Sequence, residues 1–399
     1  MDLKALAGRL GIESYPALAE EIFAALPADD GMLCDAAYIT GLEEEWGLLG
    51  EYLPLVLRGA EAVRADADLL LWGRLMLAYI RVASEADVRR LAPPELDGSL
   101  SRDVLPMLVL LQEIPAMVAA YRARGFADEG ECGIRNLLAS FHGNMYAMIR
   151  LKGRPLLDRV HYNWLLYYTR ASIFKHKAFQ FQEHKWGSAS ILLRHRTSGE
   201  YRLMMCEGRF HRSGHLLGSI AATDEEGAFH ADFEETEEAF AGHLADDYVL
   251  AERTVLPKAE WECVLRSGDD VVSIHIPRKA NLTPEHVEES LREGLALTRS
   301  YYPERTFRAI VCTSWLLEPH LPALAGEGTR LAAFNRLFLK HPIRDRGQAI
   351  YTFAFPGCEG MPTESLPEET SLQRNIKAYL LTGKYVYTTA GVITASLSW

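Results

Sequence analysis

Val271-Val272-Ser273-Ile274-His275-Ile276-Pro277, the loop Arg278 to Leu282, Thr283-Pro284-Glu285 and, further on, Ala309-Ile310-Val311-Cys312-Thr313-Ser314-Trp315 decide the fold of this chain. An apolar strand runs into a short polar loop, the loop opens a helix, and a second apolar strand follows. Thr283 stands where an N-cap belongs, and Pro284 occupies the first helical position. Glu285 and Glu288 complement the helix dipole, and Val287, Leu291, Leu295 and Leu297 supply the apolar stripe. Such a unit places free backbone N–H groups and a helix N-terminus at one end of a parallel strand pair, where anions bind.

Outward from this passage, strands dominate from Phe174. Phe179 to Gln182 alternates in polarity, and Ser190–His195 and Tyr201–Cys206 flank the hairpin signal Thr197-Ser198-Gly199-Glu200. Phe229–Ala231 and Glu260–Leu265 are weaker strands. After the second core strand come a helix over 329–338, strands at Leu339–His341 and Ala349–Phe355, a helix over Thr370–Leu381 with Gly383 just past its end, and a closing strand within Tyr385–Thr394.

Residues 1–125 read as almost wholly helical. Leu18, Ile22, Phe23 and Leu26 share a face, as do Leu105, Leu108, Leu111 and Ile114. Breaks fall at Pro27–Gly31 and Pro93–Gly98, and after the helix carrying Leu137, Leu138 and Phe141 another falls at Gly153-Arg154-Pro155, before the aromatic helix His161–Thr169. The expected architecture is α/β (α+β): an all-helical N-terminal domain, 1–125, followed by a mixed-sheet α/β sandwich, 126–399.

The chain has 399 residues, 48% of them hydrophobic, which is enough for two cores. A net charge of −12 argues against nonspecific nucleic-acid binding. Cys34, Cys132, Cys206, Cys263, Cys312 and Cys358 form no CxxC pair, so a reduced, cytoplasmic protein is expected rather than a disulfide framework or zinc ribbon. Met1-Asp2-Leu3-Lys4 lacks the basic-then-apolar layout of a secretion signal. No run reaches about 18 apolar residues, so no membrane partner is expected.

The stretches His275-Ile276-Pro277, Leu282-Thr283-Pro284, Cys312-Thr313-Ser314-Trp315-Leu316-Leu317 and Leu366-Pro367 with Thr370-Ser371-Leu372-Gln373-Arg374 resemble, in order and spacing over roughly 130–390, a bacterial acyltransferase family. That family joins a helical N-terminal domain to a C-terminal domain of the GNAT (N-acetyltransferase) type. The resemblance implies a GNAT-like sandwich in which Val271–Ile276 is the central strand and Pro277–Leu282 the diphosphate loop. Ile276, Arg278, Lys279 and Thr283 would then hold coenzyme A, with Trp315 walling the slot. It implies an acyl-CoA co-substrate, no tightly bound cofactor, and transfer to an unidentified small-molecule amine. The chain departs from the GNAT pattern twice. Pro277-Arg278-Lys279-Ala280-Asn281-Leu282 contains no glycine, and Phe338 falls where many relatives carry an acidic tyrosine. The alternative is therefore a GNAT-derived binding or protein-interaction module without catalysis.

Three residues carry candidate chemistry. His275 could deprotonate an amine, against the reading of a backbone-bonded strand histidine. Cys312 could protonate a thiolate or act as nucleophile, against simple packing between Ile310 and Val311. Glu318, with His320 nearby, could orient or deprotonate an amine, against a solvated loop carboxylate. His211 and His215 beside Glu207 have HxxxH spacing, but Gly208 and Gly214 argue for a loop, and no metal is expected. The basic and aromatic residues from Phe174 to Trp186 read as an alternating strand with solvated lysines. GxxxxGK[ST], GxGxxG, GxSxG and HExxH are all absent.

Overall fold

The computed structural model describes residues 2–27, 32–84, 87–152 and 157–399, so the expected breaks at 28–31 and 153–155 lie outside the described residues. The chain forms two compact units, Met1–Phe174 and Lys175–Trp399. The division falls later than the 125/126 boundary expected from composition, because two more helices precede the sheets.

The first unit consists of α1 (Leu3–Arg9), α2 (Ala17–Ala24), α3 (Ala36–Trp46), α4 (Leu53–Ala65), α5 (Ala67–Val82), α6 (Leu100–Leu111), α7 (Ile114–Ala123), α8 (Ile134–Lys152) and α9 (Arg159–Thr169). Asp35, Asp66, Ser99 and Asp158 cap α3, α5, α6 and α9 through side-chain oxygens, as short polar residues at helix starts do. Every residue from Asp103 to Leu111 is buried, so α6 is the central helix, apolar all round. Gly59 and Gly73 let α4 and α5 close on it: a Cβ at either would come within 2.8 Å of Val104 or 2.7 Å of Leu105. The stretch Leu100–Ala123 is apolar and long enough to cross a membrane, and 78% of its most apolar window is buried inside the fold.

The strands are β1 (Ile173–His176), β2 (Phe179–Lys185), β3 (Ser190–His195), β4 (Tyr201–Met205), β5 (Gly208–Phe210), β6 (Phe229–Ala231), β7 (Glu234–Glu235), β8 (Ala239–Asp246), β9 (Tyr248–Pro257), β10 (Trp261–Leu265), β11 (Asp270–His275), β12 (Ile310–Ser314), β13 (Leu339–Pro342) and β14 (Thr389–Ile393). One six-stranded sheet runs β1-β2-β11-β12-β14-β13, and only β11 and β12 are shown as a parallel pair within it. A second runs β10-β3-β4-β8-β7, with β9 paired to β8. β5 and β6 form a separate hairpin-like pair. The first sheet carries α10 (Pro284–Tyr301) after β11, and α11 (Leu321–Ala325) and α12 (Arg330–Asn335) after β12. The remaining helices are α13 (Ala349–Phe353) and α14 (Ser371–Leu381).

Val271, Val311 and Val392 of the first sheet pack against Leu192, Leu203 and Met205 of the second. On the opposite face α10 rests on Phe181, with Gly294 at the contact. A helical domain followed by a mixed α/β sandwich is therefore the architecture. Two local expectations change. Ala349–Phe353 is a helical turn, not a strand: Ile350 and Phe355 turn into a small core with Trp315 and Ile376, and a five-residue apolar run does not by itself separate the two states. Two of the three lysines between Phe174 and Trp186 are ion-paired rather than merely solvated, Lys177 to Glu289 and Glu293 and Lys185 to Asp270.

Candidate functional site

β11 and β12 run side by side only as far as Ile274 and Cys312. Beyond that point each keeps its outer neighbour and loses the other: His275 pairs with Gln180 of β2, while Thr313 and Ser314 pair with Ala390 and Thr389 of β14. The two C-terminal strand ends thus part and leave a slot edged by backbone. Backbone polar groups must find partners somewhere, and an extended ligand with amide groups can supply them.

The loop above the slot makes the turn that its sequence lacks glycine to make. Ala280 N–H donates to Pro277 O at 3.1 Å, and Lys279 sits at φ +67°. A lysine in the left-handed region is strained, because Cβ crowds the following carbonyl. The turn forms without glycine, at the cost of a lysine in the left-handed region. Thr283 is the N-cap of α10, with Pro284 in the first turn, but its hydroxyl makes no capping hydrogen bond. The first N–H groups of the helix are left without that cap. Exposed Arg278 and Lys279 flank the turn, and Arg330 Nη1 reaches Asn281 Oδ1 at 3.5 Å. This concentrates positive charge at a helix N-terminus, an arrangement that suits phosphate. Arg330 had no local motif to announce it.

Ser273, Thr313 and His341 share one face of the sheet by register, and with His184 they line a cavity of about 700 Å³. His341 is 2% exposed. Its Nε2 lies 3.2 Å from Ser188 Oγ, and burial pushes its pKa down to about 4. Ser273, Thr313 and His341 set polar groups into a wall that also holds Met205, Leu216 and Val311.

The expected site residues fare differently. His275 Nε2 lies 2.8 Å from Gln182 Oε1, and burial, then the neighbouring His184, pushes its pKa down to about 4. It is neutral at physiological pH, but a group that resists protonation so strongly is poorly suited to take and hold a proton. It is a polar wall of the slot. Cys312 is 2% exposed, and burial pushes its thiol up to about 12, so it packs the strand and offers neither thiolate nor ready acid. Trp315 is turned into a core with Leu321, Ile350, Phe355 and Ile376, and so supports the segment after β12 instead of facing the slot. Ile276, Arg278, Lys279 and Thr283 follow one another from the end of β11 through the loop to the start of α10.

Glu318 departs furthest from expectation. It is 1% exposed, not a solvated loop carboxylate. Its Oε1 lies 3.0 Å from His320 Nδ1, and its Oε2 accepts the Tyr387 N–H at 2.8 Å. Thr370 and Gln373 form a capping box on α14 and Arg374 donates to Glu368 O, so that stretch is structural. His211 and His215 lie on a turn closed by the His211 N–H to His215 O bond. No group of three or more candidate metal ligands occurs among the described residues.

Residues 176–393 match the family described as GNAT-like C-terminal domain, and the chain belongs to it. No curated protein sequence matches the chain. Three solved structures share the fold over nearly their whole length. A mutant of the acyltransferase orf11* in complex with octanoyl-CoA is 16% identical with TM-score 0.67, covering 98% of this chain and 99% of the other. An acyltransferase in complex with decanoyl-CoA and teicoplanin is 17% identical with TM-score 0.65 and the same coverage. An acyltransferase in complex with CoA and 10C-teicoplanin is 17% identical with TM-score 0.66, again at 98% and 99%.

Proposed function

We propose that this protein transfers an acyl group from an acyl-CoA thioester to the amine of a small molecule. The parting of β11 and β12 beneath the α10 N-terminus carries the reading. Pantetheine is a linear chain with two amides, which the open strand edges can pair. The diphosphate is an anion that the first turn of α10, Arg278, Lys279 and Arg330 can hold. Backbone N–H groups near Ile276 would polarise the thioester carbonyl as it becomes tetrahedral. The cavity beside Ser273 and Thr313 gives room for an acyl chain or acceptor. The structural neighbours bound to octanoyl-CoA, decanoyl-CoA and teicoplanin make medium-chain donors the first to try.

The test is calorimetric titration with acetyl-, octanoyl- and decanoyl-CoA, with free coenzyme A as control. Micromolar affinity for a thioester, falling about tenfold in the Arg278→Ala/Lys279→Ala double variant, is the expected outcome. No affinity for any thioester would overturn the reading. Affinity that ignores both charges would remove the loop from the site. Thioester binding without thiol release across an amine panel would fit the non-catalytic binding module instead.

A further inference from the structure

A second cavity, of about 330 Å³, lies beyond the C-terminal end of β12. Glu318 and His320 reach it from the segment after β12, and Tyr387 reaches it two residues before β14, whose Thr389 pairs with Ser314. Tyr248, Tyr379 and Tyr385 complete a wall of aromatic rings. We infer that this cavity is the acceptor site of the reaction proposed above: it takes the acceptor as an alkylammonium ion on Glu318 and the tyrosine rings, and His320 receives the proton of the attacking nitrogen.

Three observations support this. First, a buried carboxylate is costly unless a cation compensates it. Among the described residues, Glu318 meets the half-exposed imidazole of His320, the His320 N–H at 3.5 Å and the Tyr387 N–H, and no lysine or arginine. The carboxylate acts across the cavity: burial is the largest cause raising Tyr248, Tyr379 and Tyr387, the last two to about 12, and Glu318 is the next cause for each. An ammonium ion would meet a carboxylate and the faces of π-systems together. Lys384 already shows the preference, with its Nζ 5.4 Å from the centre of the Tyr379 ring.

Second, His320 is built as a base. Glu318 and the Tyr248 hydroxyl, 3.2 Å away, hold Nδ1, so Nε2 is the nitrogen that would exchange a proton. The hydrogen bond to Glu318 raises its pKa above the ordinary histidine value. Third, the two other imidazoles of the cavity are otherwise engaged: His211 meets Ser213 Oγ through Nδ1 and Asp224 Oδ2 through Nε2. Burial pushes His215 down to about 4, and it stacks 4.1 Å from the Tyr387 ring as a neutral wall.

The step balances without a further reactant. The ammonium loses one proton to water. Its nitrogen then attacks the thioester carbonyl carbon and gives its second proton to His320 as the C–N bond forms. The C–S bond breaks, and the departing thiolate takes that proton to leave as free coenzyme A thiol.

Phenethylamine, cationic at neutral pH, is the probe, with N-acetylphenethylamine as its uncharged counterpart. Calorimetry should show the amine binding at least about tenfold more tightly than the amide, and losing about tenfold in Glu318→Gln. Glu318 also holds the Tyr387 backbone, so Tyr379→Leu, at a half-buried ring, serves as a second variant with the same expected loss. His320→Gln should keep amine affinity while kcat for thiol release from octanoyl-CoA falls about 100-fold. Equal binding of amine and amide, or of wild type and both cavity variants, would overturn the inference, as would an amine that does not bind. Amine binding without octanoyl-CoA affinity would overturn the acyl-transfer reading and leave the ammonium site. The reverse pattern would remove the site and leave the reaction.

Discussion

Gly294 is the point at which α10 touches the sheet, and replacing it with alanine should destabilise the protein although alanine is the better helix former. In the interior of an 18-residue helix the exchange is ordinarily worth about 1 kcal/mol in favour of alanine. Here the new Cβ would lie 2.0 Å from Phe181 Cζ and 2.3–2.4 Å from Cε1 and Cε2, far inside the usual carbon–carbon contact. Phe181 has nowhere to go. It is 0% exposed, it meets Phe179 edge-on at 6.3 Å, and Phe179 in turn stacks on Phe334 at 5.8 Å. Overpacking of this kind costs about 1–3 kcal/mol, with the 2.0 Å approach placing it in the upper half of that range, so after the helix gain of about 1 kcal/mol is subtracted Gly294→Ala should lose up to about 2 kcal/mol. Urea unfolding followed by circular dichroism measures the loss. Phe181→Leu shrinks the opposing side chain, and the double variant should recover about 1 kcal/mol relative to the sum of the single changes. A stabilised Gly294→Ala protein, or strictly additive single variants, would refute the contact as the element that fixes α10 over the slot.

Two further predictions concern titration and the strained loop. His341 is buried and neutral with a folded-state pKa near 4, below the unfolded value of about 6.5, so the unfolded chain binds the extra proton between those pH values. Stability should therefore fall as pH drops from 6.5 towards 4, with this residue contributing a slope of up to about 1.4 kcal/mol per pH unit. Urea unfolding at several pH values should show His341→Gln flattening that slope by about one proton, and an unchanged slope would contradict it. At Lys279, with φ +67°, glycine should be more stable than alanine by about 1 kcal/mol, the reverse of the helix-interior order; thermal melts of Lys279→Gly and Lys279→Ala compare them, and equal stability would refute the strain.

What could be read from sequence was local periodicity and end signals. The helix opening at Pro284, the Thr197–Glu200 hairpin and the helix before Gly383 are all short-range patterns, and all three form, although Thr283 makes no side-chain cap. β8 and β9 went unread because Ala239–Asp246 carries alanines and a glycine that pack without the β-branched signature, and β9 shows an exposed, charged face. The turn after Ile276 was hard to read for a different reason. Glycine is the usual way to reach positive φ, but it is a preference of about 1 kcal/mol, and the hydrogen bonds and packing around Lys279 can hold a lysine there.

The site itself was half legible, and the division follows physical range. Residues joined through the chain, Ile276 to Thr283, could be assigned together because strand, loop and helix are consecutive. Those joined through space could not. Glu318 reads as a solvated loop carboxylate until β14 brings the Tyr387 N–H to it, and Tyr248 arrives from the other sheet, 70 residues away in sequence from Glu318. His275 and Cys312 were singled out for intrinsic chemistry, and burial then moved both pKa values away from neutrality, to about 4 and about 12. Reactivity at pH 7 is a property of environment, and environment is set by long-range packing. The same packing that silences these two residues also buries Glu318. The carboxylate that read as a solvated loop residue in the sequence is thereby held inside the fold by His320 and the Tyr387 N–H.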